Sequence, residues 1–421
     1  MTVTGKITKV QPAQLEALLR CVASGDRVVI ATSLGPLHGT VTEVREERVT
    51  IVPVAEARGV RPGDTIAKAQ QMHTRLGVTL LGRAINALGH SLDGRAVCET
   101  HVPIPPLRAP SPVERREISE PFWSGIRAID ALLTIGRGAR IGVFAGPGLG
   151  KSTLLEMLVA HSTADAVVVG LAGERGREAE QWFSRVTPRT TIVCATSDRS
   201  AYERIHAAQF AMAQACGLRE AGLHVLLVLD SLARYAAALR EAAVGAGEPV
   251  GRGGYPARVF HELAGFVECA GATKNGSVTM IATVLSDGDE RDPVSDAARS
   301  LLDGHIQLSP ALAKAARFPA IDVPASVSRT MSHVITEAHR GDAERVRAAL
   351  ATLESCADVR DAGIMPVDPV ALRAIAAEPD LDTFLRQGSE RVTPGEALGE
   401  LAALADTLEE APWTSLPTSL P

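Results

Sequence analysis

The sequence predicts an α/β protein whose core carries a mostly parallel sheet, preceded by a small N-terminal β-barrel and followed by a C-terminal helical domain. Three observations predict it. Short runs rich in β-branched residues crowd the first 82 residues, apolar strands alternate with amphipathic helical stretches from about residue 117, and strand signals give out after about Thr336. The chain has 421 residues, 46% of them hydrophobic and 22% charged, which is enough to bury the cores of about two to three domains.

The barrel is expected over residues 1–82. Val28-Val29-Ile30, the alternating Thr40-Val41-Thr42-Glu43-Val44 and Val49-Thr50-Ile51-Val52 follow one another closely, separated by Gly, Pro and Asp turns. Residues 83–116 read as a connecting segment and linker, because the run from Val102 to Pro112 is studded with proline, which removes backbone donors and disfavours helix. The core, 117–335, holds apolar strands at Arg140 to Ala145, Ala166 to Leu171, Thr190 to Ala195, His224 to Leu229, Val278 to Val284 and Ile306 to Leu308. Strands this apolar, joined by helical crossovers, imply a sheet covered on both faces. In the helical domain, 336–410, Val346, Leu350 and Leu353 share one face. There Thr393-Pro394-Gly395-Glu396 forms a capping box with proline at the first helical position, ahead of Leu398, Leu401, Leu404 and Leu408, which read as ordinary core. The Pro, Ser and Thr content of 411–421 predicts a disordered tail.

Composition excludes several classes. With 43 basic against 49 acidic residues the net charge is −6, without the cationic excess that phosphate-backbone binding uses, so no nucleic-acid partner is expected. The six cysteines are scattered and form no C-x-x-C pair, which points to neither zinc nor a disulfide framework and suits a reducing cytoplasm. No apolar run approaches the ~18 residues that span a bilayer, and Met1 to Lys6 lacks a signal-peptide pattern. Peripheral membrane association through a partner stays open.

Chemistry enters at Ile141 to Leu155. An apolar strand runs through Gly146-Pro147-Gly148-Leu149-Gly150-Lys151-Ser152-Thr153 into a helix, the context a phosphate loop requires. Glycines let main-chain N–H groups converge on phosphates, Lys151 reaches the β- and γ-phosphates, and the Ser152 hydroxyl can ligand Mg²⁺. The core therefore reads as a P-loop NTPase that binds a nucleotide with Mg²⁺. Ala145 stands where the strict pattern has glycine, which is tolerable if that position needs no positive φ. A second apolar strand delivers Asp230 to its C-terminal end, as a further metal acid, although any buried strand can end in Asp. Glu174 follows another such strand; it suits a carboxylate that orients the attacking water, and equally a surface-loop residue.

At Gly173-Glu174-Arg175-Gly176-Arg177-Glu178 the chain resembles the family of rotary ATP synthase β-subunits, flagellar export ATPases and virulence-type type III secretion ATPases. Further blocks occur in order and resemble the export ATPases: Thr134 to Arg140, Leu229 to Ala236, Gly247-Glu248-Pro249, Gly254-Tyr255-Pro256, Arg291-Asp292-Pro293, Leu302 to Ile306 and Phe318 to Val323. The resemblance is strong from about Leu80 to Met331. Pro147, Leu149 and Arg258 depart from the family's usual residues without removing a catalytic group.

What the resemblance implies is specific. The nucleotide is ATP. Glu174 is the catalytic carboxylate, Arg175 lies beside the γ-phosphate, and Arg234 belongs to the nucleotide-binding shell. Arg329, in Ser326-Val327-Ser328-Arg329, matches an arginine finger inserted into the neighbouring subunit's site, a role worth about 10³ to 10⁵ in rate. Phe318 matches an aromatic that packs on adenine, with core packing beside Pro319 as the plain alternative. Ser286 to Pro293 matches a loop facing the central pore, or is simply a solvated turn. The implied assembly is a homo-hexamer, cytoplasmic and peripheral to the inner membrane at the base of a secretion apparatus. Its C-terminal domain would meet secretion chaperones and export substrates, and regulatory and central stalk proteins would complete the partners.

Three functions compete: an ATP-hydrolysing type III secretion motor, a non-catalytic ring subunit, and an RNA-translocating hexamer. Glu174 argues against the second. Residues 1–80 contain no Phe, Tyr or Trp, which removes the stacking platform an RNA-binding barrel uses. Leu132-Leu133-Thr134, Gly150 to Thr153 and the short N-terminal region favour the virulence-type system over the flagellar one.

Overall fold

In the computed structural model, which describes residues 4–410 apart from 12–13, 55, 70–75, 96–106 and 286–291, the first strands close into a barrel. They are β1 (Thr4–Val10), β2 (Leu15–Leu18), β3 (Arg27–Thr32), β4 (Gly35–Arg45), β5 (Arg48–Pro53) and β6 (Thr65–Lys68), antiparallel in the order β1-β2-β5-β4-β3-β6. The period-two pattern makes this possible: Leu15 and Ala17, Val28 and Ile30, and Val49 and Ile51 point inward in pairs and fill the interior.

Downstream run β7 (Arg83–Asn86), β8 (Pro121–Phe122), α1 (Arg127–Leu132), β9 (Ile135–Gly136), β10 (Arg140–Ala145), α2 (Lys151–His161), β11 (Ala166–Glu174), α3 (Gly176–Phe183), β12 (Thr190–Thr196), α4 (Ala201–Glu220), β13 (His224–Asp230) and α5 (Leu232–Gly245). Then come α6 (Ala257–Glu268), β14 (Gly271–Ala272), β15 (Ser277–Leu285), α7 (Pro293–Leu301), β16 (Gly304–Leu308), α8 (Pro310–Lys314), β17 (Ile321–Ser328) and α9 (Met331–Val334). The chain closes with α10 (Glu337–Ser355), α11 (Ala357–Asp361), α12 (Pro369–Ala376), α13 (Glu378–Leu385) and α14 (Pro394–Glu410).

The described residues form two compact units. One gathers those of Met1–Arg115, Asp165–Thr283 and Glu290–Leu301; the other gathers those of Arg116–Ala164, Val284–Asp289 and Leu302–Pro421. In the first, β7, β12, β11, β13 and β15 are parallel neighbours in that order. Every residue of β11 and β13 is buried, which is why these strands are continuously apolar rather than alternating. The segment read as a connection opens with β7, in register with β12 from Arg83 opposite Thr191 to Asn86 opposite Cys194. Four residues with two apolar members carry too little pattern to announce a strand; pairing with β12 makes it one.

In the second unit β10 pairs parallel with β16, and β17 pairs antiparallel with β16. β17 is not among the strands expected from the sequence; Pro324 interrupts its pattern, and an edge strand accepts a proline. In the helical region Val346, Leu350, Leu401 and Leu404 are buried, while Leu353, Leu398 and Leu408 are half-buried. The Thr393 capping box forms as expected: the Glu396 N–H donates to Thr393 Oγ1 at 3.3 Å and the Thr393 N–H donates to Glu396 Oε2 at 2.8 Å. Among the described residues no helix is long and apolar enough to cross a membrane. The tail 411–421, most of the 286–293 loop and the first prolines of the linker lie outside the described residues.

Candidate nucleotide site

In the second unit, β10 ends at Ala145 and the chain turns through Gly146 to Gly150 before α2 begins at Lys151. Gly148 and Gly150 have φ of +77° and +83°, whereas Ala145 has no positive φ, so alanine is accommodated at the departure from the strict motif. Gly150 caps α2 in the left-handed conformation, and Pro147, Gly148, Ser152 and Thr153 are exposed, with Leu149 and Lys151 half-exposed beside them. A Cβ on Gly148 would meet no atom within 4 Å, so the loop surrounds open space. Backbone N–H groups and a helix N-terminus around an open cradle fit a polyphosphate. The Phe318 ring carbons lie 3.5 Å from where a Cβ of Gly150 would stand, and the side chain is 44% exposed, so Phe318 is not a core residue.

In the first unit the carboxylates sit at strand ends. The pairing of β11 with β12 slips by one residue between Ala172 and Glu174, and the extra residue, Gly173, takes φ +89°. This bulge re-aims the following side chain. Glu174 is 1% exposed, with Arg234 Nε 2.9 Å from its Oε1, and Arg234 Nη1 donates to the Gly173 carbonyl at 2.6 Å. Arg234 is placed by Ser231, which caps α5 by accepting from the Arg234 N–H at 3.2 Å. On the neighbouring strand Asp230 pairs with Leu171, is 3% exposed, and accepts from Thr283 Oγ1 at 2.6 Å. A surface-loop reading of Glu174 is thereby overturned, because a carboxylate this buried is held by a guanidinium.

Ser152 in one unit and Asp230 in the other each offer a hard oxygen of the kind Mg²⁺ takes, an ion that uses few protein ligands alongside substrate phosphates. Among the described residues no group of three or more His, Cys, Asp or Glu could hold a metal by itself. Cys194 lies on β12; burial pushes its thiol up to about 12, so it stays protonated. The described cysteines Cys21, Cys194, Cys216, Cys269 and Cys356 are free.

The structure thus groups Glu174, Asp230 and Arg234 in one unit and the phosphate loop with Phe318 in the other. Arg175 is exposed at the start of α3. Arg329 is exposed just past β17, its N–H donating to the Asp303 carbonyl at 2.9 Å and its Nη1 to the Leu302 carbonyl at 3.4 Å. Sequence reasoning missed Thr283, whose signal was a hydroxyl near the end of an apolar strand. It also missed the Gly173 bulge, for which a glycine beside the acid at the end of an apolar strand was the sign.

The profile of the ATP synthase alpha/beta family, nucleotide-binding domain, matches residues 125–328. The chain is 40% identical over 407 residues to the type 3 secretion system ATPase of Sinorhizobium fredii (strain NBRC 101917 / NGR234), covering 94% of this chain and 90% of that protein. It is 37% identical over 420 residues to the flagellum-specific ATP synthase of Pseudomonas aeruginosa, covering 96% and 93%. The assembled ATPase EscN from the enteropathogenic E. coli type III secretion system superposes with a TM-score of 0.87 at 35% identity, over 95% of this chain and 100% of that one. The same ATPase in complex with its central stalk EscO superposes with a TM-score of 0.85.

Proposed function

This chain belongs to the ATP synthase alpha/beta family and, within it, to the ATPases of type III secretion and flagellar export, and from that membership we propose that it is the ATP-hydrolysing motor of a type III secretion apparatus. It would couple hydrolysis to chaperone release, unfolding and export of protein substrates. The observation that carries this reading is Glu174, a buried acid aimed by the Gly173 bulge and held by Arg234. Such a group orients or deprotonates the water that attacks the γ-phosphate.

The remaining roles follow the same reading. Gly146 to Thr153 cradle the phosphates, Lys151 neutralises their charge, Ser152 and Asp230 hold Mg²⁺, and Phe318 stacks on the base. Arg175 attends the γ-phosphate. Arg329, exposed past β17, completes the site of a neighbouring subunit in a homo-hexamer. The assembled state of EscN and its complex with a central stalk support a ring with stalk partners. In the loop after α11, Ile364, Met365 and Val367 are 60%, 59% and 94% exposed, which supports the C-terminal region as the face that meets chaperones and export substrates. Attachment at the cytoplasmic side of the inner membrane would come through those partners.

Relatives of both systems match, so the choice between them is tested in the cell. Replacing the gene with its Glu174→Gln form should abolish secretion of effector-type substrates and leave swimming motility intact. Loss of motility with secretion preserved would assign the chain to the flagellar system instead.

A further inference from the structure

Within the second unit, the loop that joins α13 to α14 bonds to other segments of that unit at three places, and one buried side chain organises it. Gln387 is 8% exposed. Its Oε1 accepts from the Arg127 N–H at 2.8 Å, and its Nε2 donates to the carbonyls of Gly125 at 2.9 Å and Glu390 at 2.8 Å. Its main-chain N–H donates to the carbonyl of Phe318 at 3.0 Å. The amide is therefore satisfied on both atoms, in an arrangement no other side chain of that length reproduces.

The flanking residues extend the same link in two directions. Arg386 Nη1 donates to the Ala316 carbonyl at 2.6 Å, on the approach to Phe318. His161 Nε2 donates to the Ser389 carbonyl at 2.8 Å, and His161 is the last residue of the helix that begins at Lys151. The Asp130 carboxylate stiffens the receiving turn by accepting from the N–H groups of Ser124 at 2.8 Å and Gly125 at 2.9 Å. One loop thus grips both the backbone of the aromatic residue and the far end of the phosphate-loop helix.

We propose that Gln387 is a positioning residue for the nucleotide base: it fixes Phe318 relative to the phosphate loop, so that one ligand reaches the ring and the cradle together. The proposal rests on the reading of Phe318 as the residue that stacks on the base. Gln387 touches neither base nor phosphate; it acts through the Phe318 main chain. Replacing its amide by a carboxylate sets an oxygen against the Gly125 and Glu390 carbonyls and repels that grip.

The test compares ATP with inorganic tripolyphosphate, which offers phosphates and no base. Gln387→Glu should raise KM for ATP about tenfold, change kcat by no more than about twofold, and leave the inhibition constant of tripolyphosphate within about twofold of wild type. In a Phe318→Ala background the same substitution should add no more than about a twofold further rise, because its target is gone. A merely structural role would weaken tripolyphosphate as much as ATP, or persist undiminished beside Phe318→Ala, and either result overturns the proposal. Phe318→Ala that leaves KM for ATP unchanged refutes the stacking reading itself. A shift with Phe318→Ala and none with Gln387→Glu refutes only the role of Gln387. Circular dichroism and a thermal melt establish folding first. Should Gln387→Glu not fold, Arg386→Met removes the exposed neighbouring bond to Ala316, and it should raise KM for ATP about threefold with tripolyphosphate unmoved; no shift there overturns the proposal.

Discussion

Arg234 holds Glu174 and the residue before it together, with Nε 2.9 Å from the Glu174 carboxylate and Nη1 donating at 2.6 Å to the Gly173 carbonyl. One guanidinium therefore sets both the charge and the backbone of this buried acid, with the planar geometry that arginine offers and lysine lacks. Arg234→Lys should lower kcat about tenfold and Arg234→Ala about a hundredfold, each with ATP affinity nearly unchanged. Glu174→Gln should bind ATP like wild type and lose turnover by about 10² to 10⁴. Steady-state kinetics with nucleotide-binding titrations check all three; loss of affinity in step with rate would give Glu174 a structural part instead.

Gly173 carries a prediction of its own. At φ +89° an alanine is strained by about 1–2 kcal/mol. Its Cβ would also stand 3.1 Å from Arg204 Cδ and 3.5 Å from Arg234 Cβ. Gly173→Ala should lower the melting temperature and kcat together while sparing ATP affinity. Gly148→Ala carries the same left-handed strain at φ +77° but meets no neighbouring atom, so beside a lower melting temperature it should cost ATP affinity, its methyl standing in the open turn read as the phosphate cradle. The opposite assignment of the two effects would contradict the roles given to the two turns.

Complementation between inactive subunits tests Arg329 in trans. Lys151→Ala removes the charge proposed to cradle the γ-phosphate, and Arg329→Ala removes the exposed guanidinium past β17. Each homogeneous sample should hydrolyse ATP at background rate. A mixed ring should regain activity, because a Lys151→Ala subunit still donates Arg329 to a neighbour with a sound phosphate loop. Mixed rings that form and stay inactive would place Arg329 in its own subunit's chemistry or in structure.

Acid should find one weak point in the first unit. Burial, reinforced by the positive charge of Arg27, pushes His206 down to about 3. Between that value and the ordinary value near 6.5 the unfolded chain binds the proton and the folded chain does not. Stability from this group is complete above pH 6.5 and drains away as pH falls toward 3. Thermal midpoints at pH 7.5 and 5.0 should therefore drop further for wild type than for His206→Leu; equal drops would show that His206 titrates normally.

Much of the fold was legible because its determinants are contiguous. An apolar run, a glycine-rich turn, Lys151 and a helix with Leu154, Leu155 and Leu158 buried follow one another in the chain, and so do Thr393, Pro394 and Glu396 at the start of α14. Local hydrogen bonding and side-chain periodicity suffice to read such stretches. The residues proposed for catalysis were legible as types, Glu174 and Asp230 at the ends of apolar strands and Arg329 as an implied finger. What tertiary structure alone decided is which distant groups meet. β7 becomes a strand by pairing with β12, Pro324 is tolerated because β17 lies at an edge, and Thr283 reaches Asp230 across adjacent strands. Arg234 meets Glu174, and Gln387 holds Phe318, only once burial has selected the neighbours. No local pattern encodes those pairings, since each depends on the free energy of the whole core rather than on any single segment.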